Sequence, residues 1–376
     1  MIIVATDRRD VIIVGGGIIG CLTAYLLARE GLKVTIIEAD SVGSHASGFA
    51  FGEMGAVEGA GIPDPLLDFS LWSLRRHNTL AGELKEVSGV DSLFQVCGRL
   101  KLALRESEIA AYKEDLKWQS RIEQAQIGWL EPNEVIKLEP MANPECLGAV
   151  YVEKAGSVEP YRYNLAAAQS AEKLGVEILL RRVTGLLTEG DRCLGVRMGD
   201  RQLEAEMVVL SAGPWSQESG VWCGANIPVT PLKGQILRLK HTREIITSIH
   251  YDGNYVVSKP DGLIWAGTTE EEVGFDEGPT TQARDKIMGS LLNMSPSLTD
   301  AELVQQTACL RPVSSDGLPI VGKLPGWENL YVGTGSGRKG ILWSTGMCHG
   351  LADLMVKGST DVPGVDALDP ARFGGG

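Results

Sequence analysis

Short runs of buried-type residues alternate with amphipathic stretches along most of the chain, and the first forty residues set the pattern. Asp10 to Val14 reads as a short parallel strand, Ile18 to Glu30 as a helix stopped by Gly31, and Val34 to Glu38 as a second β-branched strand ending in a carboxylate. Together they form one βαβ unit. Asp64 to Val90 carries a helical pattern, Leu93 to Leu104 reads as a two-stranded hairpin, and Glu106 to Ile127 as a charged surface helix. The α/β rhythm returns with a helix over Tyr163 to Leu174 and strands over Val176 to Leu180 and Met207 to Ser211. Gln235 to Leu239, Tyr255 to Ser258 and Leu263 to Gly267 alternate apolar and polar residues, as an antiparallel sheet does. Leu330 to Val332 predicts a last strand before a glycine-rich turn and a helix from Ile341 to Met355, and the Gly-Gly-Gly end predicts a disordered tail.

The fold class is therefore α/β (α+β overall): a Rossmann-like dinucleotide-binding domain with a second, antiparallel-sheet domain. The α/β pieces lie at the start, middle and end, so the expected domains are discontinuous: 1–85, 149–228 and 318–370 for the nucleotide, 86–148 and 229–317 for the substrate.

Composition narrows the function. A net charge of −13 disfavours a nucleic-acid partner, because phosphate backbones are met by basic surfaces. The seven cysteines are scattered and never form C-x-x-C, and the histidines lack metal spacing, so a reducing compartment and no metal are expected. No stretch has the roughly 18 apolar residues of a spanning helix, which points to the cytoplasm, with a peripheral membrane contact left open.

Gly15-Gly16-Gly17-Ile18-Ile19-Gly20 satisfies G-x-G-x-x-G between a strand and a helix, with Glu38 and Ala39 closing the next strand. Gly15 permits the tight turn, Gly17 the approach of a pyrophosphate, Gly20 close helix–sheet packing, and Glu38 accepts from ribose hydroxyls. The small-residue loop Val42 to Gly48 then favours FAD over NAD, since it suits a backbone passing close to a pyrophosphate and a flavin ring.

That loop, Gly156 to Tyr161, Ser211-Ala212-Gly213-Pro214-Trp215-Ser216, Pro231 to Gln235, and the segments around Arg311 and Gly335 occur in an order that resembles the D-amino-acid oxidase superfamily, its glycine oxidase and sarcosine oxidase branch in particular. The resemblance implies FAD-dependent oxidation of a C–N bond in a small amino acid or N-alkyl amino acid, with oxygen, a quinone or a dye as electron acceptor, and a homo-oligomer or a partner subunit. It places Ser44, His45, Ala46 and Ser47 beside the cofactor, Val183 against the adenosine, and Ala212, Gly213 and Trp215 near the pyrophosphate or ribose; a core strand position is the alternative for Val183. Gly335, Gly337, Arg338, Lys339, Gly340 and Ile341 form the implied C-terminal flavin motif, the final helix favouring negative charge on the reduced ring. The resemblance assigns Arg311 to the substrate carboxylate, whose geometry a planar guanidinium matches, with Tyr255 and Arg338 as further substrate-side candidates. FAD is expected to be noncovalent; a bond to His45, as in the dimethylglycine dehydrogenase branch, is the alternative. The sarcosine oxidase branch has an oxygen-activating lysine in the hairpin around Leu263 to Trp265, and this chain has none there.

Overall fold

The computed structural model describes residues 9–57 and 66–374. Asp64 at the start of the expected second helix, and two of the three terminal glycines, lie outside the described residues.

Two sheets organise the chain. In the first, strands Leu330–Thr334, Arg201–Leu210, Arg9–Val14, Val34–Glu38 and Glu177–Leu180 run parallel in that order, and Ile320–Lys323 adds antiparallel at one edge. The period of two in the first strand decides its packing. Val11 and Ile13 point to a layer formed by helices Ile18–Arg29, Leu67–Ser88, Pro160–Lys173 and Gly340–Lys357, while Ile12 and Val14 point to a second core with Leu186, Val196 and Val208. All four residues are buried, and full burial of such a side chain contributes roughly 1.5–3 kcal/mol.

The second sheet runs Glu302–Ser314, Val229–Lys240, Ile264–Gly267, Asn254–Ser258, Ser248–Tyr251, Gln95–Ala103, Gly148–Ser157 and Glu53–Met54, antiparallel except where Ser248–Tyr251 meets Gln95–Ala103. Leu100, Leu237, Ile249, Val256 and Ala266 turn one face onto the helix Thr281–Met294. Side chains one position along each strand face the other way, toward the first sheet and the cavity described below.

Two expectations fail here. The segment 93–104 is not a hairpin: Gln95–Ala103 is one strand, paired with Gly148–Ser157 and kinked by a register shift between Cys97 and Arg99. The glycine within it serves close packing, since a Cβ on Gly98 would lie 2.6 Å from the Tyr151 hydroxyl oxygen. The expected helix 106–127 ends at Gln119, and Ile127–Leu130 is a strand on Gly148–Ser157.

Candidate functional site

The glycine turn is held by contacts that only glycine tolerates. Gly15 has φ +112°, and a Cβ on Gly20 would fall 1.9 Å from the Gly15 carbonyl oxygen. The Gly16 N–H donates to Glu38 Oε2 at 2.6 Å and the Asp40 N–H to Oε1 at 2.8 Å, which fixes the carboxylate at the strand end. Ser47 Oγ accepts from the Ile18 N–H at 2.9 Å and so caps the helix that starts there. Asn164 Nδ2 and the Gly43 N–H both donate to the Gly16 carbonyl. Ser44 Oγ is buried without a hydrogen-bond partner.

From this turn a cavity of about 680 Å³ extends between the sheets. Gly17, Ile18, Ile19, Ala46, Ser47 and Gly213 line one end of it. Ser336, Gly337, Arg338, Lys339, Gly340 and Ile341 line another side, where the final helix begins. That helix start is anchored from behind: His77 Nε2 donates to the carbonyls of Ile341 and Leu342 at 2.9 and 3.1 Å, and burial pushes the imidazole down to about 4, which keeps it neutral. Gly335 packs behind the lining with φ +76°.

Arg311 stands on the long strand Glu302–Ser314, opposite Leu232. Its Nη2 donates to Thr268 Oγ1 at 2.7 Å and its Nη1 to the Thr269 carbonyl at 3.0 Å. To reach them the guanidinium crosses Gly234, where a Cβ would lie 2.1 Å from Nη2. Among the described residues no carboxylate pairs with Arg311, and the residue lines the cavity. Tyr255 shares that cavity face, its ring 4.1 Å from Phe51 and 5.5 Å from His250. Burial raises its hydroxyl pKa, so it stays a neutral donor.

Other expected positions fall differently. Arg338 sits at the rim, paired with Glu270 at 3.3 Å and donating to the Gly253 carbonyl. His45 is not among the residues lining the cavity; Nε2 bonds Asp40 at 2.9 Å, Nδ1 bonds Glu277 at 3.1 Å, and the ring packs edge-on against Trp215. Burial opposes its protonation, but the two carboxylates outweigh burial and raise its pKa. Val183 belongs to the core beneath the first sheet with Val14 and Ile37. Ala39 is exposed beside Glu38, and Ala212 caps the short turn Gly213–Trp215.

The model of the family described as FAD dependent oxidoreductase (DAO) matches residues 10–354. This chain belongs to that family. It is 30% identical to the glycine oxidase of Bacillus licheniformis over 368 residues, 97% of this chain and 98% of that protein, and 30% identical to the glycine oxidase of Pseudomonas putida over 97% and 98%. The crystal structure of glycine oxidase from Geobacillus kaustophilus superposes with a TM-score of 0.92 at 27% identity, covering 98% of this chain and 100% of that one. The residues present fit the family's cofactor: a glycine turn open to a pyrophosphate, a buried carboxylate at the second strand, the unpartnered Ser44 hydroxyl, and a helix N-terminus facing the cavity.

Glu53, Arg99, Lys101 and His250 also line the cavity, and motif reasoning missed them. They come from three separate stretches of chain and carry no local pattern. Among the described residues no group of three or more His, Cys, Asp or Glu side chains is placed to hold a metal, and no helix is long and apolar enough to cross a membrane.

Proposed function

We propose that this protein oxidises the C–N bond of a small amino acid or N-alkyl amino acid, with Arg311 holding the substrate carboxylate. The observation that carries this reading is the Arg311 guanidinium itself, a cation with no carboxylate partner among the described residues, fixed over Gly234 by Thr268 and Thr269 at the wall of the cavity. A charge so placed needs an anion from the ligand, and a bidentate carboxylate matches its geometry. Tyr255, a neutral donor on the same face, supplies a further hydrogen bond to the carboxylate. Ile18, Phe51 and Ile236 exclude water around the α-carbon and favour the uncharged amine. When bound, FAD supplies the acceptor for the hydride lost from the α-carbon. The amine nitrogen gives up a proton, and the resulting imine is hydrolysed by water to a carbonyl compound and an amine or ammonia.

In this reading the first sheet and its helices hold the nucleotide, through Gly15, Gly17, Gly20, Glu38, Ser44, Ala46, Ser47 and Gly213, and the second sheet carries the substrate. Arg338 orders the rim and touches substrate less directly than Arg311. The engagement of both His45 ring nitrogens supports noncovalent FAD. Seven free thiols support a reducing, cytoplasmic compartment.

The test is the absorbance of purified protein during anaerobic addition of an amino-acid panel. Bleaching of the flavin bands by one amine supports the reading; reduction by hydroxy acids alone overturns it. Reoxidation by air or only by a quinone or dye then separates oxidase from dehydrogenase, and flavin released by acid precipitation excludes the bond to His45.

A further inference from the structure

Resting on this reading of the activity, the geometry points to a second recognition site in the same cavity, for a distal carboxylate, so that the preferred substrate is an amino diacid of glutamate size. Arg99 and Lys101 lie two residues apart on Gln95–Ala103 and share one face. His250 on the adjacent strand is in register with Lys101, Tyr255 with His250, and Gly267 with Tyr255. A single row of the sheet thus runs from Lys101 through His250 and Tyr255 to Gly267, and Thr268, which holds the Arg311 guanidinium, follows at its end.

Glu53 reaches across from its own short strand and bonds Arg99 Nη2 at 3.1 Å and His250 Nε2 at 2.9 Å, which holds both against the wall. Lys101 is different. Among the described residues no carboxylate pairs with it, and its Nζ lies 4.1 Å from the centre of the Tyr112 ring, on a surface helix, in a small recess that Asp115 also lines, so it turns toward the main cavity to meet a ligand. An ammonium over a ring beside a cavity is a weakly satisfied cation, since an exposed cation–π contact contributes only about 0.5–1 kcal/mol. The row spans three strand spacings, about 14 Å, and the Arg311 guanidinium lies one strand further on, over Gly234, about 19 Å from Lys101 between backbones. Hydrogen bonds of about 3 Å at each end take up part of that span, and the four methylenes of Lys101 cover more of it, so a diacid whose carboxylates stand several carbons apart, as in glutamate, is what can meet both cations. Glycine would meet Arg311 and leave the Lys101 end untouched. The α-carboxylate therefore binds Arg311, the amine and α-carbon lie beside Tyr255, and the distal carboxylate accepts from Lys101 with Arg99 at its side.

The competing occupant is a carboxamide, because Glu53 Oε1 is buried with no hydrogen-bond partner and an amide N–H would satisfy it. Glutamate and glutamine, each as both enantiomers, are the matched probes. In the holoenzyme, kcat/KM for glutamate is expected to exceed that for glutamine by at least tenfold. Lys101→Met is expected to bring that ratio toward one, and Lys101→Arg to restore it. Independently of turnover, glutarate is expected to perturb the bound-flavin spectrum at concentrations at least tenfold below butyrate, and Lys101→Met to remove the difference. A glutamine preference, or a ratio unchanged in Lys101→Met protein of wild-type flavin content, overturns the second site while leaving the proposed activity standing. Reduction by no amino acid of any kind overturns the activity and this inference with it.

Discussion

Gly234 is the place where one methyl group separates stability from function. Its backbone lies in a strand opposite Cys309, so alanine is conformationally acceptable there, and a strand residue gains roughly 0.5–1 kcal/mol when glycine is replaced. The added Cβ, however, would sit 2.1, 2.3 and 2.4 Å from Nη2, Cζ and Nη1 of Arg311. The obstacle is the far end of a flexible side chain, so the guanidinium swings away and the backbone stays. Its hydrogen bonds to Thr268 and Thr269 are lost, at about 1 kcal/mol each. The net change in stability is about 1 kcal/mol, a shift of only about 1 °C in Tm for a chain of this size. If Arg311 holds the substrate carboxylate as proposed, substrate binding suffers more: loss of one or two charge-assisted bonds, about 3 kcal/mol, is close to a hundredfold in kcat/KM. Gly234→Ala is therefore expected to purify with normal flavin content and nearly normal melting but with kcat/KM for the best amino acid of the panel reduced about a hundredfold. Differential scanning fluorimetry and steady-state kinetics measure the two sides. A variant that melts and loads flavin like wild type and keeps kcat/KM within threefold would refute the carboxylate role of Arg311.

Other outcomes follow from the same geometry. Gly20→Ala drives a Cβ into the Gly15 carbonyl oxygen, backbone that cannot step aside, so it is expected to yield protein that binds no FAD, read from the absorbance ratio after purification. His45 has a raised pKa in the fold, so its contribution to stability is complete below its unfolded pKa and disappears as pH rises through the folded value. The Tm difference between wild type and His45→Ala is expected to be largest below the ordinary imidazole range and to narrow as pH rises above it; a gap that widens with pH would sink this account. Buried His77 has the opposite sign: from its ordinary 6.5 it is pushed to about 4, so stability falls as pH drops through that window, by about 3 kcal/mol for this residue alone. Chemical denaturation at pH 7 and pH 4 is expected to show a shallower acid loss for His77→Gln. His349, also pushed down to about 4, keeps part of the slope.

Local signals in the sequence single out the glycine turn because every part of it lies within thirty residues: strand, glycines, helix and carboxylate. Arg311 and Tyr255, which line the cavity, each stand beside a recognisable turn or motif. The strand Glu302–Ser314 escaped notice because Pro312 interrupts its pattern, yet it is an edge strand, where a missing N–H costs nothing to the ladder. Gly98 lies in the middle of the segment expected as a hairpin, and its small size answers to the Tyr151 ring and not to a turn. Glu53, Arg99, Lys101 and His250 meet only after strands far apart in sequence have paired, and no local periodicity encodes such a meeting.

The parallel order of the first sheet also constrains how the protein is made. Arg9–Val14 leaves the ribosome well before its neighbour Arg201–Leu210, which comes almost two hundred residues later, and the strand Leu330–Thr334 that flanks this neighbour is later still. Until those segments are synthesised, Val11 to Val14 has a partner only in Val34–Glu38, and much of its apolar surface has nothing to cover it. Long-range pairing of this kind is slow and leaves apolar surface open to aggregation. The nascent chain therefore carries the glycine turn on an unfinished sheet, with Asn164, which bonds the Gly16 carbonyl, and the final helix still to be added around it.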